Sequence, residues 1–337
     1  MTKSQTSIEI RNLYKIFGAH PEAHVEAVRR GMSKEELGAR HSHILGLNDI
    51  NISMPAGKIQ VIMGLSGSGK STLIRHINRL IEPTWGEIVI GGQNVLEMSE
   101  TELRDFRRTG TAMVFQKFAL LPHRTVIDNV TFGLEVRGVD AAAARATGLR
   151  WIERVGLKGF ENRYPNELSG GMQQRVGLAR ALSNDTSILL MDEAYSALDP
   201  LIRTDMQTML LDLQKELGKT IVFITHDLDE ALRLGDQIVI LRDGSIVQQG
   251  NSQDILLNPA DDYIQRFIKD VNRGRYIRVA SVIEPASESA LPQVPAEMML
   301  EDAVKVLSDA AASAANVIDA AGRIIGAVTL RTIMSVL

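Results

Sequence analysis

The chain has 337 residues, 45% of them hydrophobic and 23% charged, a formal net charge of −4 and no cysteine. That length buries a sizeable core and exceeds the usual single domain, so one large unit with a smaller appendage is expected. The acidic balance gives no sequence-independent attraction to a phosphate backbone, which argues against nucleic acid as a main partner, and the missing cysteines exclude disulfides, thiolate metal sites and cysteine nucleophiles.

Met1–Ile10 lacks the basic-then-apolar order of a signal peptide, and no apolar run approaches the roughly 20 residues that cross a bilayer. The reading is a soluble, cytoplasmic chain that reaches a membrane through partners. Ile8–Phe17 starts as an alternating strand and ends with Tyr14 and Phe17, either of which can stack on a base or sit in the core. His20–Leu45 reads as an insert before a strand at Asn51–Met54, and Ser33-Lys34-Glu35-Glu36 has the spacing that starts a helix. His41 and His43 are spaced like metal ligands, but no further ligand cluster lies near them in sequence, and a solvated loop is expected.

Ile59–Met63 is a short apolar run that breaks into Gly64-Leu65-Ser66-Gly67-Ser68-Gly69-Lys70-Ser71-Thr72 and then turns helical, with Leu73, Ile74, Ile77, Leu80 and Ile81 on the buried face. Strand, glycine loop and helix in that order form a P-loop, G-x-x-x-x-G-K-S. The glycines let backbone N–H groups converge on one anion, the helix dipole adds positive potential, Lys70 reaches the outer phosphates and Ser71 offers a hydroxyl to Mg²⁺. Gly86–Ile90 follows as a strand, Ser99–Arg108 as a capped helix with a solvated basic face at Arg104, Arg107 and Arg108, and Ala112–Phe115 as a buried strand leaving Gln116 at its exit.

Thr125–Glu167 is mainly helical by pattern, with Pro165 as a stop. Leu168-Ser169-Gly170-Gly171 directly before a helix makes a second anion cradle, so the chain either binds two anions or shares one between two copies. Ile188–Met191 is wholly apolar, like a strand buried on both faces of a parallel sheet, and ends in Asp192-Glu193, where α/β sheets place ligands. Asp192 suits an Mg²⁺ shared with Ser71, and Glu193 can deprotonate water. Pro200 opens a long helix to Leu217. Thr220–Ile224 is another buried strand, delivering His226, and Ile238–Val247 forms a hairpin. A helix at Asn258–Asp270 closes the large unit, Glu284–Glu297 reads as a linker, and helix, strand, strand, helix follow from Leu300 to Leu337.

In order, Gly64–Thr72, Gln116, Leu168–Gln174, Ile188–Glu193, Ser196–Asp199 and His226 resemble the Walker A, Q-loop, signature, Walker B, D-loop and switch histidine of the ATP-binding subunits of ABC transporters, over about residues 8–273. The resemblance implies an α/β P-loop NTPase domain at 1–275, with a helical insert at about 19–45 and a helical subdomain at about 125–167, then a linker and single CBS-like α+β module at 276–337. It implies ATP and Mg²⁺ as cofactors and a homodimer in which each ATP lies between Lys70 of one copy and Ser169 and Gly171 of the other. Glu193, His226 and Lys70 become catalytic. Phe17, Gly64–Thr72, Gln116, Ser169, Gly170, Gly171, Gln174, Asp199 and His226 become nucleotide contacts, with Ser71, Gln116 and Asp192 at the metal.

More narrowly, Asn12–Gly18, the helical insert, Met63–Ser68, Asn78–Pro83 and Met113–Pro122 look like the glycine betaine, proline betaine and choline importers. That implies two membrane-spanning permease subunits, a solute-binding protein acting indirectly, and a peripheral place on the cytoplasmic face of the inner membrane. Alternatives are an amino acid importer and a soluble ABC ATPase acting on nucleic acid. The tail departs from a nucleotide-binding CBS motif at Thr332, where an acidic or amide ribose ligand is expected, and Tyr195 stands where relatives often carry phenylalanine.

Overall fold

The computed structural model describes residues 6–286 and 291–337. Met1–Gln5, and Ser287–Ala290 within the expected linker, lie outside the described residues. The chain clusters into two compact units, 1–230 with 239–247, and 231–238 with 248–337.

The first unit opens with β1 (Ile8–Phe17), two short insert helices α1 (Val25–Arg29) and α2 (Lys34–His41), and β2 (Ile44–Met54). β2 is longer than expected, because Leu45, Leu47 and Ile50 alternate inward and pair with β1. Tyr14, Ile16, Val25, Val28, Leu37 and Leu45 make a small core beneath the insert. β3 (Ile59–Met63) and α3 (Lys70–Ile77) carry the P-loop between them. α3 stops earlier than the apolar pattern suggests: Arg79 turns left-handed at φ 53°, Leu80 donates back to the Arg75 carbonyl, and Leu80 is exposed. Arg104, Arg107 and Arg108 are exposed, as a solvated basic face requires, and Arg107 also caps the end of α3 by donating to the carbonyls of Asn78 and Arg79.

Next come β4 (Trp85–Ile90), β5 (Gln93–Asn94), α4 (Glu100–Thr109), β6 (Thr111–Val114), and the helical pair α5 (Val126–Val136) and α6 (Ala141–Arg154). Helix ends there: residues 155–164 are turns, and Pro165 opens a short 3-10 turn where a helix stop was expected. α7 (Gly170–Ser183), β7 (Ile188–Asp192), α8 (Pro200–Leu217), β8 (Thr220–Thr225), α9 (Leu228–Leu234), β9 (Gln237–Arg242) and β10 (Ser245–Gly250) follow.

Two sheets carry this unit, one in the order β2-β1-β4-β5 and one in the order β10-β9-β3-β8-β7-β6. In the second, β3, β8, β7 and β6 run parallel, and every residue of β3, β7 and β8 is buried, as expected for strands covered on both faces. Register then fixes function: Met63 lies opposite Thr225, Ile224 opposite Asp192, and Met191 opposite Val114. The carboxyl ends of four strands therefore come to one edge, where an α/β sheet binds its ligand.

The second unit contains α10 (Ser252–Leu257) and α11 (Asp262–Phe267) in place of one helix at Asn258–Asp270. Asn258 precedes Pro259 and leaves the helical region, and Asp261 caps a new start by accepting from Ile264 N–H. Beyond it, β11 (Gln293–Pro295), α12 (Leu300–Asp309), β12 (Ala314–Ile318), β13 (Ile324–Thr329) and α13 (Leu330–Val336) form a three-stranded sheet with two helices. β11 falls inside the expected linker, and Val279–Val282 form a 3-10 turn ahead of it. Thr332 bonds Thr329 and Glu284, so its hydroxyl is committed within the module.

Candidate active site

The P-loop is shaped by close approach. A Cβ on Gly64 would stand 2.3 Å from the Leu241 carbonyl oxygen, and one on Gly69 would stand 2.8 Å from that of Gly46. At both positions φ is positive, 151° and 101°, so glycine satisfies both demands. Lys70 begins α3 and is only 5% exposed. Its ammonium donates to the carbonyls of Gly64 at 2.9 Å and Leu65 at 3.1 Å, and lies 3.5 Å from Glu193 Oε1.

One turn along, Ser71 Oγ donates to Asp192 Oδ1 at 2.8 Å, while Arg75 donates to Oδ2 at 3.3 Å. Glu193, one residue past the strand, sits at φ 46° with its N–H on the Ile224 carbonyl, which ties it to β8. Its carboxylate is surrounded by the other expected groups: Gln116 Nε2 at 3.1 Å, His226 Nδ1 at 3.6 Å and Lys70 Nζ at 3.5 Å. Gln116 also reaches Ser196 Oγ at 3.4 Å.

A cleft of about 460 Å³ runs from this cluster, lined by Phe17, Lys34, Ile44–Gly46, Ser66–Thr72, Gln116 and Glu193. Of the two aromatic candidates, Phe17 lines the cleft with Lys15 over its ring at 5.0 Å, while Tyr14 is core. Lys34, Ile44, Gly46 and Arg75 were missed in the sequence. The capping serine before Lys34 was visible, but not that α2 starts beside the P-loop.

His226 is held on both sides. Thr225 Oγ1 donates to Glu230 at 2.6 Å, Arg203 pairs with Asp227 at 3.0 Å, and Gln207 donates to Glu230 at 3.1 Å. Burial pushes the Glu230 carboxyl above its ordinary range. These contacts link the strand end bearing His226 to α8, whose first turn is capped by Asp199.

The second cradle is elsewhere. Ser169 caps α7 by accepting from Met172 N–H at 3.3 Å, and neither it nor Gly170, Gly171, Gln174 or Asp199 lines the cleft. Gln174 is fully buried with no partner for either end of its amide, so its side chain is a core feature of α7 and not an exposed nucleotide contact. His43 places both ring nitrogens on carbonyl oxygens, of His41 and Ala19, which makes it a bracket for the insert.

The "ABC transporter" family profile matches residues 47–196. Over 288 residues the chain is 51% identical to the glycine betaine transport ATP-binding protein OpuAA of Bacillus subtilis, covering 86% of this chain and 69% of that one. It is 46% identical to the glycine betaine/proline betaine transport ATP-binding protein ProV of Escherichia coli, covering 98% and 82%. The chain belongs to the ATP-binding proteins of ABC transporters. Among solved structures, a dimeric ATP-binding cassette in a post-hydrolysis state with ADP and Pi is 32% identical, with a TM-score of 0.62 over 73% of this chain and 98% of that one. Membership makes this chain an ABC transporter ATPase. Among the described residues no helix is long and apolar enough to cross a membrane.

Proposed function

We propose that this chain powers uptake of a quaternary ammonium compatible solute, such as glycine betaine, proline betaine or choline, by hydrolysing MgATP at the composite site of a homodimer bound to two permease subunits. The solute class is supported by the betaine transport that OpuAA and ProV serve and by the sequence features of that group. A peripheral position on the cytoplasmic face and an indirect link to a solute-binding protein follow from the same reading. Residues to about 275 are taken as the ATPase domain and 276–337 as a CBS-like module.

The observation that carries the chemistry is the Glu193 carboxylate held between Lys70, Gln116 and His226, beside the Ser71–Asp192 pair. A hydroxyl, one carboxylate and an amide are hard oxygen donors that suit Mg²⁺ completed by phosphate and water. Bound there by Ser71, Asp192 and Gln116, Mg²⁺ would neutralise phosphate charge. Lys70 and the loop N–H groups bind the β- and γ-phosphates and stabilise developing charge. Glu193 accepts the proton of the attacking water, Gln116 and His226 fix the direction of its carboxylate, and His226 Nε2 is free to reach the γ-phosphate. Phe17 stacks on adenine.

ATPase activity of the chain with its permease subunits in vesicles tests the reading. Stimulation by glycine betaine or choline with a solute-binding protein is expected. Stimulation by an amino acid would move the substrate class, and stimulation by nucleic acid would reject transport.

A further inference from the structure

Among the described residues, Phe118 and Ala119 are the only adjacent non-glycine pair in the left-handed region, at φ 56° and 48°. L-residues adopt that conformation at a cost, so something must hold the turn. Arg180, on the third turn of α7, donates Nη1 to the Ala119 carbonyl at 2.7 Å and Nη2 to the Phe118 carbonyl at 3.1 Å. Burial pulls its guanidinium below the ordinary arginine range, and no carboxylate offsets that. The helix face beside it is bare: a Cβ on Gly170 would lie 3.6 Å from the tip of the Phe118 ring, and one on Gly177 would lie 3.8 Å from the Phe118 carbonyl. The turn is therefore seated along the helix whose N-terminus is the Ser169 cradle.

The same segment touches two other places. Upstream, Gln116 reaches Glu193. Downstream, Ala119, Leu121 and Arg180 wall a groove of about 370 Å³ together with Phe132 and Val136. We infer that Arg180 is a positioning residue: it fastens the 117–121 turn to α7, so that the reach of Gln116 to Glu193 is set by the helix that carries the Ser169 cradle. This rests on the reading of Glu193 as the base. A lysine cannot replace the arginine fully, because one ammonium lacks the planar fork that spans two carbonyls.

The test is a double-mutant cycle on the full chain with MgATP. Gln116→Ala and Arg180→Ala each lower kcat about tenfold and leave KM for ATP within about twofold, and the double variant is within about twofold of Gln116→Ala alone. A double variant about a hundredfold down, as independent or purely structural effects would multiply, overturns the inference, as does wild-type turnover in either single variant. If Arg180→Ala does not fold, Arg180→Lys takes its place in the same cycle. Glu193→Gln, measured alongside, separates the two levels: wild-type turnover there rejects the base assignment itself, whatever the cycle gives.

Discussion

The two glycine-bearing cradles differ in what surrounds them. At the first, Gly64, Gly67 and Gly69 adopt φ of 151°, 78° and 101°, Lys70 is buried, and three strand ends supply Asp192, Glu193, Gln116 and His226. At the second, Ser169 caps a regular fourteen-residue helix, Gly170 and Gly171 need no positive φ, and none of the three lines the cleft. The first is a chemical site in need of a second wall. The second has N–H groups, a dipole and an exposed serine. A helix N-terminus with that composition serves an anion brought to it, which is the physical sense of a site shared between copies.

The largest break in that comparison comes from the first cradle. Glu193→Gln lowers ATP turnover by about 10² to 10⁴ while ATP still binds, measured by phosphate release against nucleotide binding. Wild-type turnover would remove Glu193 from its role.

The rigidity of the first cradle has an acid limit. His76, fully buried on α3, donates from Nδ1 to the Thr72 carbonyl at 2.6 Å, and burial pulls its pKa down to about 4. The unfolded chain protonates this group near its ordinary value, so the unfolded state takes up the proton first. Stability is complete above that value and falls as pH drops through the window toward 4, by about 3 kcal/mol in all. Denaturant unfolding from pH 7 to pH 4 shows this slope, and His76→Gln flattens it by that amount.

At the second cradle, Ser169→Arg lowers turnover about a hundredfold through lost closure, yet costs only about 1 kcal/mol of stability as a lost helix cap and leaves ATP affinity of the separate chain unchanged. Weakened ATP binding by the separate chain would mean that the serine faces its own P-loop. The smallest effect is at the base: Phe17→Ala raises KM for ATP about fivefold with kcat unchanged, since stacking contributes about 1 kcal/mol at a half-exposed ring.

The parallel sheet and its ligand edge were legible because fully apolar strands end directly in functional residues: Met63 before the loop, Met191 before Asp192-Glu193, Ile224 before His226. What was not legible is contact between elements distant in sequence. Lys34 and Ile44 reach the cleft only because the insert folds over β1, and Gln174 looked polar and available but points into the core. Helix ends were misplaced where a side chain from elsewhere supplies the cap, as Arg107 does for α3. The linker composition at 284–297 concealed β11, since three residues pairing in parallel with Gln293 opposite Asn316 leave no periodicity to read.

Complementation between two disabled chains tests the shared site most directly. Lys70→Ala loses the first cradle and Ser169→Arg the second, and each alone turns over at about a hundredth of the wild-type rate or less. Mixed in equal amounts with MgATP, they form some dimers in which an intact P-loop meets an intact signature, and phosphate release returns. If the mixture stays as inactive as its components while wild-type chains pair under the same conditions, each chain completes its site alone and the shared-site account is wrong.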